Sequence, residues 1–224
     1  VIRGLAPLVA AALLASACTS PAQAEGVVAA PAAKVVASEA RGLKTAIFSG
    51  GCFWGIEAVF SHVKGVTSAI SGYHGGAAAT AHYDQVSEGN TGHAESVKVT
   101  YDPAVVRYDQ LLQVFFAVGA DPTQLNRQGP DSGTQYRTAL VPMNAEQSKI
   151  AAAYLAQLKT SGLWKKPVVA RIERFQAFYP AESYHQDFMS KNPDHGYIRM
   201  WDAPKVAGLK RLFPGEYKVG FTTG

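Results

Sequence analysis

Ser49 to Phe60 reads SGGCFWGIEAVF, and the residues on either side of it dictate how the chain must turn. Lys44 to Phe48 is a short apolar run of strand character, while Ile56, Val59, Phe60 and Val63 recur at the i, i+3, i+4, i+7 spacing of one helix face. A strand and a helix joined through Gly50-Gly51 meet in a tight turn, and Cys52 stands at the junction. A thiol there faces unpaired backbone N–H groups and the positive end of the helix dipole. Both favour thiolate, which predicts a pKa below the free-cysteine value of about 8.5. The bland reading is a small buried hydrophobe, the commoner fate of a lone cysteine. The glycine pair and the adjacent Phe53 and Trp54 argue against it, because an ordinary helix start requires neither.

The same periodicities continue along the chain. Val66 to Ser71 reads as a strand, and Gly72 to His93 as a long polar, glycine-rich loop of the kind that carries function. Ala94 to Tyr101 alternates, with Val97, Val99 and Tyr101 on a buried side whose parity Glu95 shares, and Ser96, Lys98 and Thr100 on the other. Asp109 to Val118 reads as a buried helix, DPTQLNRQGPDSGTQ as a second polar loop and Tyr136 to Val141 as a strand. Asn144 with Gln147 caps a helix whose apolar face is Ile150, Tyr154, Leu155 and Leu158. Val168 to Phe175 is expected as a strand, and Ala181 to Lys191 and Pro204 to Leu212 as helices. Strands and helices mix without strict βαβ alternation, which predicts an α+β fold, a two-layer sandwich of a mixed central sheet with packed helices.

At the N-terminus, Arg3 precedes an uncharged apolar run from Gly4 to Ala17, and Ala22-Gln23-Ala24 is an A-x-A site. This is a signal-peptide pattern over residues 1–24, too short for a membrane span of about 20 apolar residues. Leu14 to Cys18 also resembles the box before a lipidated cysteine, although Ala15 stands where leucine is usual. Either route removes or caps Cys18, leaving Cys52 as the usable thiol of a periplasmic or exported protein, in the second case anchored by lipid at Cys18. Residues 25–42, rich in Ala, Val, Pro and Ser, read as a linker, 43–214 as one catalytic domain and 215–224 as a tail. The formal net charge of +4 is scattered rather than clustered, so no nucleic-acid partner is expected.

The chain has six histidines, His62, His74, His82, His93, His185 and His195, any of which is a candidate base for a Cys/His pair. There is no HExxH spacing and too few thiols for a cysteine-rich metal site. Glu95 is the other candidate partner. A carboxyl on the buried side of a strand is desolvated, so it stays protonated near pH 7 and can donate a proton; the alternative is a buried ion pair with Arg137. Tyr73, Tyr83 and Tyr136 are candidate hydroxyl donors or core aromatics. A nucleophilic thiol, a neutral acid, phenols and an aromatic wall suit the removal of a polar, uncharged oxygen beside a methyl group.

GCFWG at 51–55, GYHGG at 72–76, TGHAE at 91–95, DPTQLNRQG at 121–129, GTQYR at 133–137 and PAESYHQDF at 180–188 together resemble the peptide methionine sulfoxide reductase A family. The likeness runs from about Lys44 to Asn192. It implies that Cys52 attacks the sulfoxide sulfur, that Glu95 protonates the oxygen with Tyr83 and Tyr136 hydrogen-bonding it, that Phe53 and Trp54 hold the methyl group, and that Asp131 lines the site. It further implies the S epimer of free or peptide-bound methionine sulfoxide as substrate, a cysteine sulfenic acid as intermediate, a monomer, and no metal or organic cofactor. Many relatives carry a resolving cysteine after a Gly-Tyr pair; here Gly196-Tyr197 is followed by Ile198, so an external thiol, a thioredoxin-like protein or dithiothreitol, is expected to regenerate the enzyme. His74 and His82 replace the family's usual Ala and Thr. The rival readings are a Cys/His hydrolase or acyl transferase, which needs no reductant, and a periplasmic peptide-binding module, which leaves a sulfoxide peptide unchanged.

Overall fold

The structure, a computed structural model, describes residues 27–224; the expected signal peptide, Cys18 and both processing sites lie outside the described residues. In chain order the strands are β1 (Lys44–Ser49), β2 (Val66–His74), β3 (Ala94–Tyr101), β4 (Arg127–Gln128), β5 (Asp131–Ser132), β6 (Ala139–Val141), β7 (Arg171–Ile172) and β8 (Phe178–Pro180). The α-helices are α1 (Phe53–Ser61), α2 (Tyr83–Val86), α3 (Tyr108–Val114), α4 (Ala145–Thr160), α5 (Phe188–Lys191) and α6 (Ala203–Leu212). Six strands form one sheet in the order β7-β6-β1-β3-β2-β8, antiparallel except for the β6–β7 pair, and β4 and β5 form a separate small ladder. The fold is the expected mixed α+β arrangement.

Ile56, Val59 and Phe60 of α1, with Val63 just beyond it, are buried in one core with Val97, Val99 and Tyr101 of β3. Lys98 and Thr100, on the opposite face, remain partly exposed, so helices cover one side of the sheet more completely than the other. Register is what matters for function. Ser49 is paired with Ser96, so Glu95 lies one residue past the end of β1, opposite the turn that leads to Cys52; across β2 its partner is Tyr73. A slip of one residue would turn Glu95 to the other face.

Several elements differ from the expected ones. The strand expected over 168–175 is cut to Arg171–Ile172, because the N–H groups of Val169 and Ala170 donate to the Pro122 carbonyl instead of a sheet neighbour. The helix expected over 181–191 is split into a 3-10 turn, Ser183–His185, and α5, because Asp187 adopts φ 56° and gives its N–H to the buried Glu57 carboxyl at 2.9 Å. The helix expected over 109–118 is α3 followed by a π turn, Phe115–Gly119. Asn144 caps α4 as expected, its side chain accepting from the Gln147 N–H at 2.9 Å.

The linker reading is corrected for residues 27–42. They form no regular element, yet they are a strap fastened along α3 and α4, with Val27, Ala30 and Ala37 buried. The Val28 N–H donates to the Ala117 carbonyl at 2.8 Å, Tyr154 Oη to that of Pro31 at 2.7 Å, and the Ala37 N–H to Asp109 at 2.9 Å. Glu39 accepts from the Tyr101 hydroxyl and, at 3.0 Å, from the Tyr108 N–H. Low periodicity describes such a strap as well as it describes a linker, since its order comes from partners far away in sequence. Residues 215–224 are likewise bound, with Lys218 and Thr222 donating backbone N–H groups to His62 and Ser61 at 2.8 and 3.0 Å.

If the strap is structural, Glu39→Ala will lower the unfolding free energy by about 1–2 kcal/mol, the cost of hydrogen bonds lost at partly buried donors. Urea denaturation of the two proteins measures it, and a midpoint that does not move would return this segment to the status of a linker.

Candidate active site

Cys52 occupies the N-cap of α1, and the turn before it needs both glycines. Gly51 has φ 89°, and a Cβ there would stand 2.5 Å from that of Gln128; one on Gly50 would stand 2.7 Å from that of Ala120. The loop that carries Asp131 can thus lie directly on the turn. Gln128 braces it, accepting from the Asp121 N–H at 3.0 Å and donating to the Asp121 carbonyl and Thr138 Oγ1 at 2.7 and 2.8 Å. Gly55 is needed one turn on, where a Cβ would fall 2.1 Å from Asp202 Oδ1.

Glu95 is 2% exposed, and its Oε2 accepts the Phe53 backbone N–H at 3.0 Å. Burial pushes its carboxyl up to about 8, Asp131 and Asp202 add to the shift, and the Phe53 N–H opposes it. Glu95 is therefore a neutral acid at pH 7. The ion-pair alternative is excluded: Arg137 is engaged by Glu173 at 2.7 Å and by the carbonyls of His93, Thr134 and Gly92 at 2.9, 3.0 and 3.1 Å.

The expectation of a lowered thiol pKa is corrected. Burial pushes the Cys52 thiol well up, Glu95 and Asp202 push the same way, and the Trp54 N–H and Lys205 oppose them more weakly. Part of the helix end is used elsewhere, since the first N–H of α1 serves the Glu95 carboxyl. The free site therefore holds a thiol and a carboxylic acid, both uncharged.

The side chains of Cys52, Phe53, Trp54, Tyr83, Glu95, Asp131 and Tyr136 line one cavity of 270 Å³ together with His195 and Tyr197. All seven residues that the family resemblance assigns to the site are brought together there. The Trp54 ring is stacked on Phe188, centroids 3.7 Å apart at 8°, with His195 and Tyr197 edge-on at 5.9 and 6.0 Å. Tyr83 begins α2, its N–H held by Glu182 at 2.9 Å, and Tyr136 ends a 3-10 turn, Thr134–Tyr136. Burial raises both phenols above the ordinary tyrosine range, Tyr83 to about 12, so they are hydroxyl donors at neutral pH. Tyr73, the third candidate donor, is excluded from the cavity lining; its ring lies 5.9 Å from that of Phe53 and its hydroxyl donates to Glu182 at 2.8 Å. Tyr197 donates to Asp131, whose carboxyl burial raises above its ordinary range.

Among the described residues no histidine is hydrogen-bonded to Cys52. His93 is bound to Gly76 and Ala77, His62 to the Lys218 carbonyl, His185 to Trp54, and His74 lies 3.6 Å from Glu173. No Cys/His pair is therefore formed, although His195 shares the cavity with Cys52. Sequence reasoning missed Tyr197 and Asp202 as parts of the site and considered His195 only as a candidate base. Gly196-Tyr197 stood out there only for the cysteine that does not follow it, and nothing local marks a C-terminal turn as the wall of a cavity built 100 residues earlier.

A family model described as peptide methionine sulfoxide reductase matches residues 44–215. The chain is 57% identical over 178 residues, 80% of its length and 91% of the relative's, to the peptide methionine sulfoxide reductase MsrA 2 of Mesorhizobium japonicum. It is 48% identical over 184 residues, 82% of its length and 86% of the relative's, to the protein of the same name from a Synechocystis strain. Among solved structures it is similar to methionine sulfoxide reductase A of Corynebacterium diphtheriae, with a TM-score of 0.58, 34% identity and coverage of 68% of this chain and 76% of that one. The reduced form of Mxr1 from Saccharomyces cerevisiae gives the same TM-score of 0.58 at 31% identity, covering 72% of this chain and 92% of that one. With Cys52, the un-ionised Glu95 and the aromatic wall all inside the matched span, the chain belongs to the peptide methionine sulfoxide reductase family.

Proposed function

We propose that this protein reduces the S-sulfoxide of methionine, in peptides and as the free amino acid, by moving the oxygen onto Cys52 and then onto an external thiol. One observation carries the reading: a thiol, an un-ionised carboxylic acid and the phenols of Tyr83 and Tyr136 share a cavity with the apolar rings of Phe53 and Trp54. The apolar rings suit the methyl group, and the donors suit the sulfoxide oxygen, which carries partial negative charge but no proton. As Cys52 sulfur bonds to the sulfoxide sulfur, Glu95 gives its proton to the oxygen, and the thiol proton passes to the carboxylate that results. Transfer of the oxygen to Cys52 then releases the sulfide. Thiol and sulfoxide thus become sulfenic acid and sulfide: the Cys52 sulfur loses the electron pair that the substrate sulfur gains, and no proton is taken up or released overall.

Regeneration consumes two thiols. The first displaces water from the sulfenic acid to form a mixed disulfide with Cys52, and the second frees the Cys52 thiol and leaves as an external disulfide, so the reductant is a small-molecule thiol or a thioredoxin-like protein. Cys52 and Cys18 are the chain's two cysteines, and removal or lipid capping of Cys18 leaves no internal resolving thiol. One chain supplies the complete cavity, which suits a monomer. Arg3, the apolar run to Ala17 and the A-x-A site support an exported protein, soluble in the periplasm or held by lipid at Cys18.

In single turnover with a methionine sulfoxide peptide, Cys52→Ser should abolish reduction and Glu95→Gln should slow it by about 10²–10⁴-fold, the usual contribution of a general acid. The wild-type rate should be level from neutral pH to about 8 and fall above it as Glu95 loses its proton; that limb should be missing from Glu95→Gln. A loss well under tenfold would leave Glu95 a structural role only.

Without reductant, the processed enzyme should yield one methionine per chain and a sulfenic acid that dimedone traps. Two methionines with an internal disulfide would refute the single-thiol scheme. Cell fractionation tests export: the processed chain should be found outside the inner membrane, and Cys18→Ala should release any lipid-held fraction. An unprocessed chain confined to the cytoplasm would refute that placement.

A further inference from the structure

The tryptophan that walls the cavity is itself held from behind. The Trp54 indole Nε1–H donates to His185 Nδ1 at 3.1 Å. An indole nitrogen has no lone pair to offer, so Nδ1 must be the acceptor, and the His185 proton must sit on Nε2. Nε2 is buried and has no partner among the described residues. The same imidazole lies 5.1 Å from the Phe53 ring and 4.4 Å from the Tyr83 ring, with Tyr184 at 4.3 Å on its own turn. It is 2% exposed. One ring outside the cavity lining thus touches three residues inside it.

We propose that His185 is a positioning residue for the methyl pocket, holding the Trp54 indole through Nδ1 while its ring backs Phe53 and Tyr83, so that loss of this acceptor slackens the wall that substrate binds. This rests on the reductase reading of the cavity. The acceptor role also makes the pocket sensitive to acid. A doubly protonated imidazole would set an N–H against the indole N–H and place a charge among aromatic rings. The groups facing the imidazole are few. Glu182 and Tyr184 share its turn, Tyr83 comes from α2, and α1 contributes only Phe53 and Trp54. Glu182 favours protonation, but it already accepts from Tyr73 Oη and the Tyr83 N–H, and burial outweighs it, holding His185 below the ordinary histidine value of 6.5. The ring is therefore neutral at pH 7, and the indole bond is lost only as pH falls through that lowered value.

The test pairs a spectrum with kinetics on the full chain. In ¹H–¹⁵N spectra of the ligand-free protein, the Trp54 indole resonance, identified by its absence in Trp54→Phe, should titrate with a midpoint below 6.5. In His185→Gln, whose amide oxygen can accept the same bond, that titration should be absent. With a methionine sulfoxide peptide and dithiothreitol, His185→Leu should lower kcat/KM by about tenfold, mainly through KM, while His185→Gln stays within about threefold of wild type. In a Trp54→Phe background, His185→Leu should cost less than about twofold more. Equal losses in the Leu and Gln variants, an undiminished loss in the Trp54→Phe background, or an indole resonance that still titrates in His185→Gln would each overturn the proposal. Should His185→Leu fail to fold by circular dichroism, the Gln spectrum and the Gln kinetics decide it. A wild-type protein that turns over no sulfoxide would defeat the reductase reading, whereas the indole titration reports on His185 in either case.

Discussion

The hydrogen bond from the Phe53 backbone N–H to Glu95 Oε2 joins the central sheet to the helix that begins at the nucleophile, and much of the site follows from it. It requires the β1–β3 register that puts Glu95 just past Ser49, and a turn tight enough to bring the start of α1 back over β3. That tightness is the work of Gly50 and Gly51, against which Ala120 and Gln128 are packed too closely for any side chain. The bond also determines how the helix terminus is used. A backbone dipole that would stabilise a resting thiolate is partly directed to a carboxyl group, which burial nonetheless keeps protonated.

The electrostatic consequence is a cavity held at low charge. Cys52 and Glu95 are both pushed toward their neutral forms, and Asp131 and Asp202 are raised above their ordinary range, chiefly by burial. Charge on Glu95 or Asp202 disfavours ionisation of Cys52, and charge on Asp131 disfavours that of Glu95 and Asp202. A dipolar, uncharged substrate is suited to such a site, because its oxygen can take a proton from an acid that water and counter-ions do not compete for.

The other half of the site comes from the C-terminal third of the chain. His185 supports Trp54 from behind, Phe188 stacks on it, and His195 and Tyr197 close its edge. Asp202 reaches the first turn of α1 through the space that Gly55 leaves empty. The segment thus serves to shape the pocket.

The sequence by itself determined the longer helices and strands and the Cys52 junction, and with the family resemblance it named seven of the residues that line the site. Helix and strand periods are local, glycine pairs mark tight turns, and the parity of Glu95 with Val97, Val99 and Tyr101 put its carboxyl on the buried face. Tyr136 lies in the quoted GTQYR motif, while the roles of Tyr83 and Asp131, which lie outside the quoted motifs in loops with no period to read, came from the family resemblance. Tertiary structure decided what depends on distant neighbours. The Cys52 pKa moves upward rather than downward because desolvation and nearby carboxyls outweigh a partly engaged helix end. Residues 27–42 are a strap rather than a linker because their hydrogen-bond partners, Asp109, Tyr154 and Ala117 among them, lie some 70 or more residues away. Tyr197, His195 and His185 belong to the site because the chain folds back over α1, and a periodicity measured over a few residues contains no information about that return.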